Sequence, residues 1–231
     1  FGDGLVSRAI TWVMAREVDW PPLYAVHTAG VLTAQGHDVE YARHFDSAKT
    51  YDFCLTTSSI VSHETELAAV QNVNAHGIPV GVIGPFATTI PSPYLNAGGF
   101  VISGEPEMYF LNHLLVPENL DALSGIIESG NPISLDDLPL PAWEMVFKTA
   151  KPKFGLLGGK HVMLPIAATR GCPYSCFNYC VYPLQQGRKV RMRDPQKIVE
   201  EMEHWADTLG VTFYIFRDPV FSINREHTMK I

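Results

Sequence analysis

The stretch that decides the fold is Leu164-Pro165-Ile166-Ala167-Ala168-Thr169-Arg170-Gly171-Cys172-Pro173-Tyr174-Ser175-Cys176-Phe177-Asn178-Tyr179-Cys180. Leu164 to Ala168 form a short apolar run of the kind that makes a buried strand. Three of the chain's 4 cysteines then fall on one tight loop. Three thiolates so placed can ligate three irons of a cubic iron–sulfur cluster and leave the fourth iron open to an external ligand. The same residues also admit a zinc site completed by a histidine such as His161, or three reduced thiols with no metal.

Composition narrows the function classes. At 231 residues the chain has room for one or two domains, and with 46% hydrophobic and 18% charged residues it can bury an ordinary core. A formal net charge of −7 argues against a nucleic-acid partner. No apolar run reaches membrane-spanning length, and no signal-peptide pattern is present. Cysteines crowded on one loop are not a disulfide framework, so the compartment reads as the cytoplasm. Cys54, in an apolar strand pattern, reads as an inert core residue. The chain begins at Phe1 and stops at Ile231, just after a helix start at Ser222 or Asn224. Both ends read as cut, so a fragment of a longer protein is expected.

The first half alternates helical and strand patterns. Pro21-Pro22 precede a helix, Leu23 to Gln35, that stops at Gly36. Strands are expected at Val39 to Arg43, Asp52 to Thr57, Pro79 to Ile83 and Phe100 to Ser103. A helix capped by Ser62, with Glu64 and Glu66 in its first turn, runs to Gly77. Such alternation predicts a parallel sheet flanked by helices. Ligands of such sheets sit at the carboxyl ends of the strands. Here those turns are Thr56-Thr57-Ser58-Ser59, Gly84-Pro85-Phe86 and Gly104-Glu105-Pro106-Glu107. No Gly-x-Gly-x-x-Gly turn is present, which argues against a dinucleotide site. Glu118 to Lys160 is a connector with weaker periodicity, and its Trp143 is expected to pack between domains.

After the cysteine loop the pattern is again βα. Asp194 caps a helix with Pro195 at its first position and an apolar face of Ile198, Met202, Trp205 and Leu209, closed by Gly210. Val211 to Phe216 is the next strand, expected to leave an open edge. Arg188, Lys189, Arg191 and Arg193 read as a solvated loop, with contact to an anionic cofactor as the alternative.

The cysteine loop after a strand, with its flanks Gly171-Cys172-Pro173-Tyr174 and Val181-Tyr182-Pro183, resembles the signature of the radical S-adenosylmethionine (SAM) superfamily. The usual spacing there is Cys-x3-Cys-x2-Cys. Here it is Cys-x3-Cys-x3-Cys, with Tyr179 where the third cysteine would stand; a loop can absorb one residue, so Cys180 is expected to face the other two. The three turns of the first half, in their order, resemble the cobalamin-binding domain that precedes many radical SAM cores, and Gly104-Glu105-Pro106-Glu107 looks like that group's Gly-Glu-x-Glu pattern.

The resemblance implies an α/β fold in which an N-terminal doubly wound parallel-sheet cobalamin-binding-like domain, residues 1–117, is followed by a linker, 118–160. The first βα units of a radical SAM partial TIM barrel, 161–231, come last and are truncated. It implies a [4Fe-4S] cluster on Cys172, Cys176 and Cys180, and SAM contacts from Tyr174, Tyr179 and Asp218. Cobalamin contacts would come from Thr57, Ser58, Ser59, Gly84, Pro85, Gly104 and Glu105. Ala25-Val26-His27-Thr28-Ala29-Gly30 has no Asp and sits in a helical pattern, so His27 reads as a helix residue rather than a cobalt ligand. Phe1 to Trp20 holds no histidine, and cobalt without a His ligand from this chain is expected.

The implied activity is cobalamin-dependent reductive cleavage of SAM to a 5′-deoxyadenosyl radical, with methyl transfer or ring-forming chemistry on a small-molecule substrate. The electron would come from a donor such as flavodoxin or ferredoxin. The truncated chain alone is expected to be inactive. Two other readings remain: a methylthiotransferase-like radical SAM enzyme without cobalamin, and a non-catalytic cobalamin- or metal-binding fragment.

Overall fold

The computed structural model describes residues 20–130, 134–149, 162–176 and 179–231. Four parallel strands, β1 (Cys54–Thr57), β2 (Val80–Ile83), β3 (Phe100–Ser103) and β4 (Ile126–Glu128), pair in the order β1-β2-β3-β4. Among the described residues this order runs in one direction, and the reversal of a doubly wound sheet is not seen in them. The β2–β3 register sets Val82 beside Val101 and Ile83 beside Ile102. Strand geometry sends successive side chains to opposite faces. Val80, Val82 and Val101 therefore meet Val70 and Val73 of α2 (His63–Ala75) and Tyr94 of α4 (Ser92–Asn96). Ile83, Phe100 and Ile102 meet Val31 and Leu32 of α1 (Leu23–Ala34) and Phe110 of α5 (Pro106–Asn112) on the other face. A short helix, α3 (Pro85–Thr89), follows β2 directly.

Helix α1 is buried along its length from Val26 to Leu32. One side lies on the sheet, and Val26 joins a second core with Trp143, Val146, Leu164, Trp205 and Val211. The connector crosses α1 at Gly30, where an added Cβ would lie 2.3 Å from the Leu140 carbonyl oxygen. A glycine inside a helix costs about 1 kcal/mol relative to alanine; the backbone crossing explains its presence. Ala142 N–H donates to the Val26 carbonyl at 3.0 Å, and α6 (Trp143–Thr149) starts there. Trp143 is fully buried between the sheet-bearing half and the second half, as expected.

In the second half, β5 (Met163–Ile166) pairs in parallel with β8 (Phe213–Phe216), and α8 (Pro195–Leu209) precedes β8. The α8 ends follow the sequence signals: the Asp194 side chain accepts the Gln196 N–H at 2.9 Å, and Gly210 takes the left-handed conformation at φ 66°. Ile198 and Trp205 are buried on its inner face. A two-residue antiparallel pair, β6 (Thr169–Arg170) with β7 (Arg191–Met192), brackets the cysteine loop and α7 (Tyr182–Gln186). α9 (Arg225–Thr228) closes the described chain, with Asn224 as its cap.

Three expectations need correction. Val39 to Arg43 forms no strand. Val39 packs on the core under the sheet, while Tyr41 packs in the second core with Trp143, so the segment bridges two cores rather than joining a ladder. The Ser62 side chain does not cap α2; its hydroxyl donates to Glu66 at 2.8 Å. The basic run is not wholly solvated: Arg191 and Arg193 form partly buried ion pairs. Cys54 opens β1 half-buried, its thiol pushed up by burial, which suits an unreactive residue. Among the described residues no helix is long and apolar enough to cross a membrane.

Candidate functional site

The cysteine loop leaves the end of β6 and is held at its base by Asp218, Gln186 and Gly187. Asp218, just after β8, accepts the N–H groups of Ala168 (3.0 Å) and Thr169. Burial pushes the Asp218 carboxyl upward, against these hydrogen bonds. Gly171 donates to the Gln186 side chain at 3.1 Å, and Cys172 N–H donates to the Gly187 carbonyl at 3.1 Å. Gly171 sits at φ 85°, where a Cβ would lie 2.2 Å from the Lys189 carbonyl oxygen. Arg188 reaches back to the Ser175 hydroxyl at 3.1 Å and so braces the far side of the loop.

The three cysteines differ in exposure. Cys172 is buried, Cys180 half-buried and Cys176 exposed, and all three thiols are free of disulfides. Among the described residues no group of three metal-ligating side chains is gathered. The donor set itself suits a cluster: three soft thiols free of disulfides on one loop, with a fixed base and Cys176 exposed. His161, the zinc alternative, lies outside the described residues. Tyr174 and Tyr179 stand on the same loop, 54% and 75% exposed.

Beneath the loop lies a set of buried charges. Arg170 Nη1 donates to Glu105 Oε1 at 2.6 Å and also to Glu107 Oε1. Arg191, the cross-strand partner of Arg170, donates to the other oxygen of Glu105. Burial alone would push the Arg170 pKa down; the Glu107 and Glu105 carboxylates outweigh it and hold the guanidinium above its ordinary value. Burial raises Glu107, with Arg170 pulling it back. A second pair, Arg193 with Glu201 at 2.6 Å, lies beside it. His27, Ala167, Arg170, Arg193 and Glu201 line a cavity of about 20 Å³ under the connector residues Leu138 to Leu140. That volume is about one water molecule. The His27 Nδ1 has no hydrogen-bond partner among the described residues. His27 is thus a buried helix residue; burial, then Arg170 and Arg193, hold its pKa well below the ordinary 6.5.

The turns expected to hold cobalamin do gather at the carboxyl edge of the sheet, but much of their polarity is already used. Ser58 is buried, and its hydroxyl accepts the Ala87 N–H at 2.9 Å. The Ser59 N–H is taken by Glu66, whose carboxylate also accepts the Tyr94 hydroxyl at 2.7 Å. A Cβ at Gly84 would lie 2.3 Å from the Tyr24 hydroxyl, and one at Gly104 would lie 2.3 Å from the Ser129 hydroxyl. These glycines are required by the protein's own packing. Glu105 is spent on two arginines. Thr57, Ser59, Pro85 and Gly104 remain half-buried and keep open surface. The seven residues therefore fit a bound group in part, through these four.

Sequence reading gave no role to Arg170 or Glu201, and met Glu107, Arg191 and Glu66 only as parts of a turn pattern, a basic run and a helix first turn. A signal did exist for Arg170 and Glu201: each is a charged residue flanked by positions that pattern as core.

No family model matches the chain. It is 25% identical over 203 residues to an uncharacterized methyltransferase of Synechocystis sp., a match covering 83% of this chain and 35% of that protein. It is 24% identical over 244 residues to the anaerobic magnesium-protoporphyrin IX monomethyl ester cyclase of Rubrivivax gelatinosus, covering 90% of this chain and 43% of that protein. Its fold is similar to that of TsrM, a radical SAM methyltransferase from Kitasatospora setae solved with tryptophan substrate and a SAM analogue. The TM-score is 0.63 at 16% identity, over 92% of this chain and 48% of that one. At that identity the likeness is one of fold. The chain spans less than half the length of each of these proteins.

Proposed function

We propose that the chain is the cofactor-holding part of a radical SAM enzyme that transfers a methyl group, with Cys172, Cys176 and Cys180 as cluster ligands. The observation that carries this reading is the cysteine loop itself. Three free thiols stand on a loop whose base is fixed by Asp218, Gln186 and Gly187, with Cys176 exposed. Similarity to methyltransferases and to a protoporphyrin ester cyclase supports the reaction class, and the fold of a SAM-binding methyltransferase supports the placement.

When bound, a [4Fe-4S] cluster supplies the electron that cleaves SAM, and cobalamin carries a methyl group. The chain's own residues bind and orient. Asp218 keeps carboxylate lone pairs beyond its two backbone bonds, and these would accept from the SAM ammonium. Tyr174 and Tyr179 would lie against SAM as exposed rings on the ligating loop. Thr57, Ser59, Pro85 and Gly104 would meet cobalamin at the sheet edge, over a base formed by Ser58, Gly84 and Glu105. The substrate is a small molecule, and the electron donor a flavodoxin- or ferredoxin-like protein.

The test is anaerobic reconstitution with iron, sulfide and cobalamin, followed by electron paramagnetic resonance of the reduced cluster with and without SAM. The expected result is a cluster whose signal shifts when SAM is added. A chain that takes up no cluster, or a cluster whose signal SAM leaves unchanged, would overturn the reading. Cluster and SAM binding without cobalamin binding, followed by visible absorption, would favour the methylthiotransferase-like alternative.

A further inference from the structure

Two motifs that look separate in the sequence meet at one buried nitrogen. Arg170 stands two residues before Cys172. Glu105 and Glu107 stand in the turn after β3 and the first turn of α5, 65 and 63 positions before Arg170. All three are shut away from water, at 6%, 6% and 0% exposure. The β6–β7 pair places two like charges, Arg170 and Arg191, directly opposite each other. Such a cross-strand pair is unfavourable by itself. Glu105 lies between them and accepts from both.

A buried ionic group of this kind adds little net stability; a well-packed apolar set of the same volume would do as well or better. What charge-assisted hydrogen bonds add is geometric specificity. Here they act on a short lever. From Arg170 the backbone runs through Gly171, fixed by Gln186, to Cys172, fixed by Gly187 and buried, while Cys176 four residues on is exposed.

We propose that Arg170, clamped by Glu105 and Glu107, is a positioning residue that sets Cys172 against the carboxyl edge of the four-stranded sheet before any metal arrives. This rests on the reading of Cys172 as a cluster ligand and deepens it. It also gives the Gly-Glu-x-Glu turn a role inside the protein: the turn holds the cysteine loop, and a ligand that shifts the turn shifts Cys172 with it.

The experiment is alkylation of the reduced, metal-free chain, with the rate at each cysteine read by mass spectrometry. In the unaltered chain Cys172 reacts about tenfold or more slowly than Cys176, since exposure limits access. Arg170→Met raises the Cys172 rate about tenfold, toward that of Cys176, while Cys54 is unchanged. Because a single nitrogen serves both carboxylates, an ammonium can replace it, and Arg170→Lys keeps the Cys172 rate within about threefold of the unaltered chain. If Cys54 also speeds up in Arg170→Met, that variant has unfolded, and Glu105→Gln and Glu107→Gln decide, each with a several-fold rise at Cys172 alone. Unchanged protection of Cys172 in folded Arg170→Met, or in both Gln variants, overturns the proposal. So does equal behaviour of the Lys and Met variants. Iron loading of the same proteins is measured separately: no iron on the unaltered chain overturns the cluster reading and leaves the alkylation result standing as evidence on positioning.

Discussion

Asp218 accepts the backbone N–H of Ala168 at 3.0 Å, across 50 residues of chain, and that of Thr169 beside it. The end of β8 thereby caps the point at which β5 gives way to β6, just before the cysteine loop. Asp218→Ala leaves both N–H groups without their acceptor, at about 1–3 kcal/mol for each orphaned group. Asp218→Asn keeps one acceptor oxygen and should cost less than half as much. Urea denaturation followed by tryptophan fluorescence measures both; an unchanged midpoint for the alanine variant would remove the capping role.

Gly171 and Gly187 both have positive φ, at 85° and 79°, but only Gly171 is pressed against backbone. Alanine at either site takes a left-handed strain of about 1–3 kcal/mol. At Gly171 it adds a clash with the Lys189 carbonyl that no side-chain rotation relieves. Gly171→Ala should therefore lower the melting temperature and the iron content after reconstitution more than Gly187→Ala does. Equal effects of the two would mean that the approach of Lys189 to the loop is not tight in solution.

Trp143 fills the junction of α1, β5 and α8. Trp143→Ala should destabilise the chain by about 3–5 kcal/mol. Its indole N–H has no partner among the described residues, so Trp143→Phe removes an unpaired donor along with some volume and should cost under about 1.5 kcal/mol. Chemical denaturation monitored by circular dichroism separates the two. A Phe variant as damaged as the Ala variant would place a hydrogen bond at the indole.

His27 gives the chain a pH-dependent term. Its folded pKa lies well below 6.5, so near pH 6 the unfolded chain binds the extra proton and the folded chain does not. The stability is fully present above the unfolded value and falls as pH drops below it, by at most about 1.4 kcal/mol per pH unit. Arg170, Arg193 and Glu201 face the same cavity. Between pH 7.5 and 5.5 the unaltered chain should lose about 1 kcal/mol more than His27→Gln does. Parallel stability curves would show that His27 takes up its proton while folded.

The elements that sequence reading found are those with a local cause. β2 and β3 alternate β-branched residues between two cores, and α8 carries its own cap at Asp194 and its own stop at Gly210. The β6–β7 pair, two residues per strand, is too short to leave a pattern. The partition of polar residues at the sheet edge was not legible either. Ser58 and Glu105 read as ligand contacts because they follow strands, yet their partners, Ala87, Arg170 and Arg191, lie 29, 65 and 86 residues away. Spacing along the chain carries no information about such pairs. Arg191 and Glu107 are chemically the same as solvated charges until the fold closes around them.

The most direct measurement is iron and acid-labile sulfide per chain after anaerobic reconstitution, on the unaltered protein and on Cys172→Ala, Cys176→Ala and Cys180→Ala. Three thiolates holding a cubic cluster predict about four irons and four sulfides per chain, with loss of most of both in each alanine variant, Cys180→Ala included. A folded chain that takes up a single zinc in place of iron, or one whose iron content is unaffected by Cys180→Ala, would contradict the assignment of these three cysteines as the cluster's ligands.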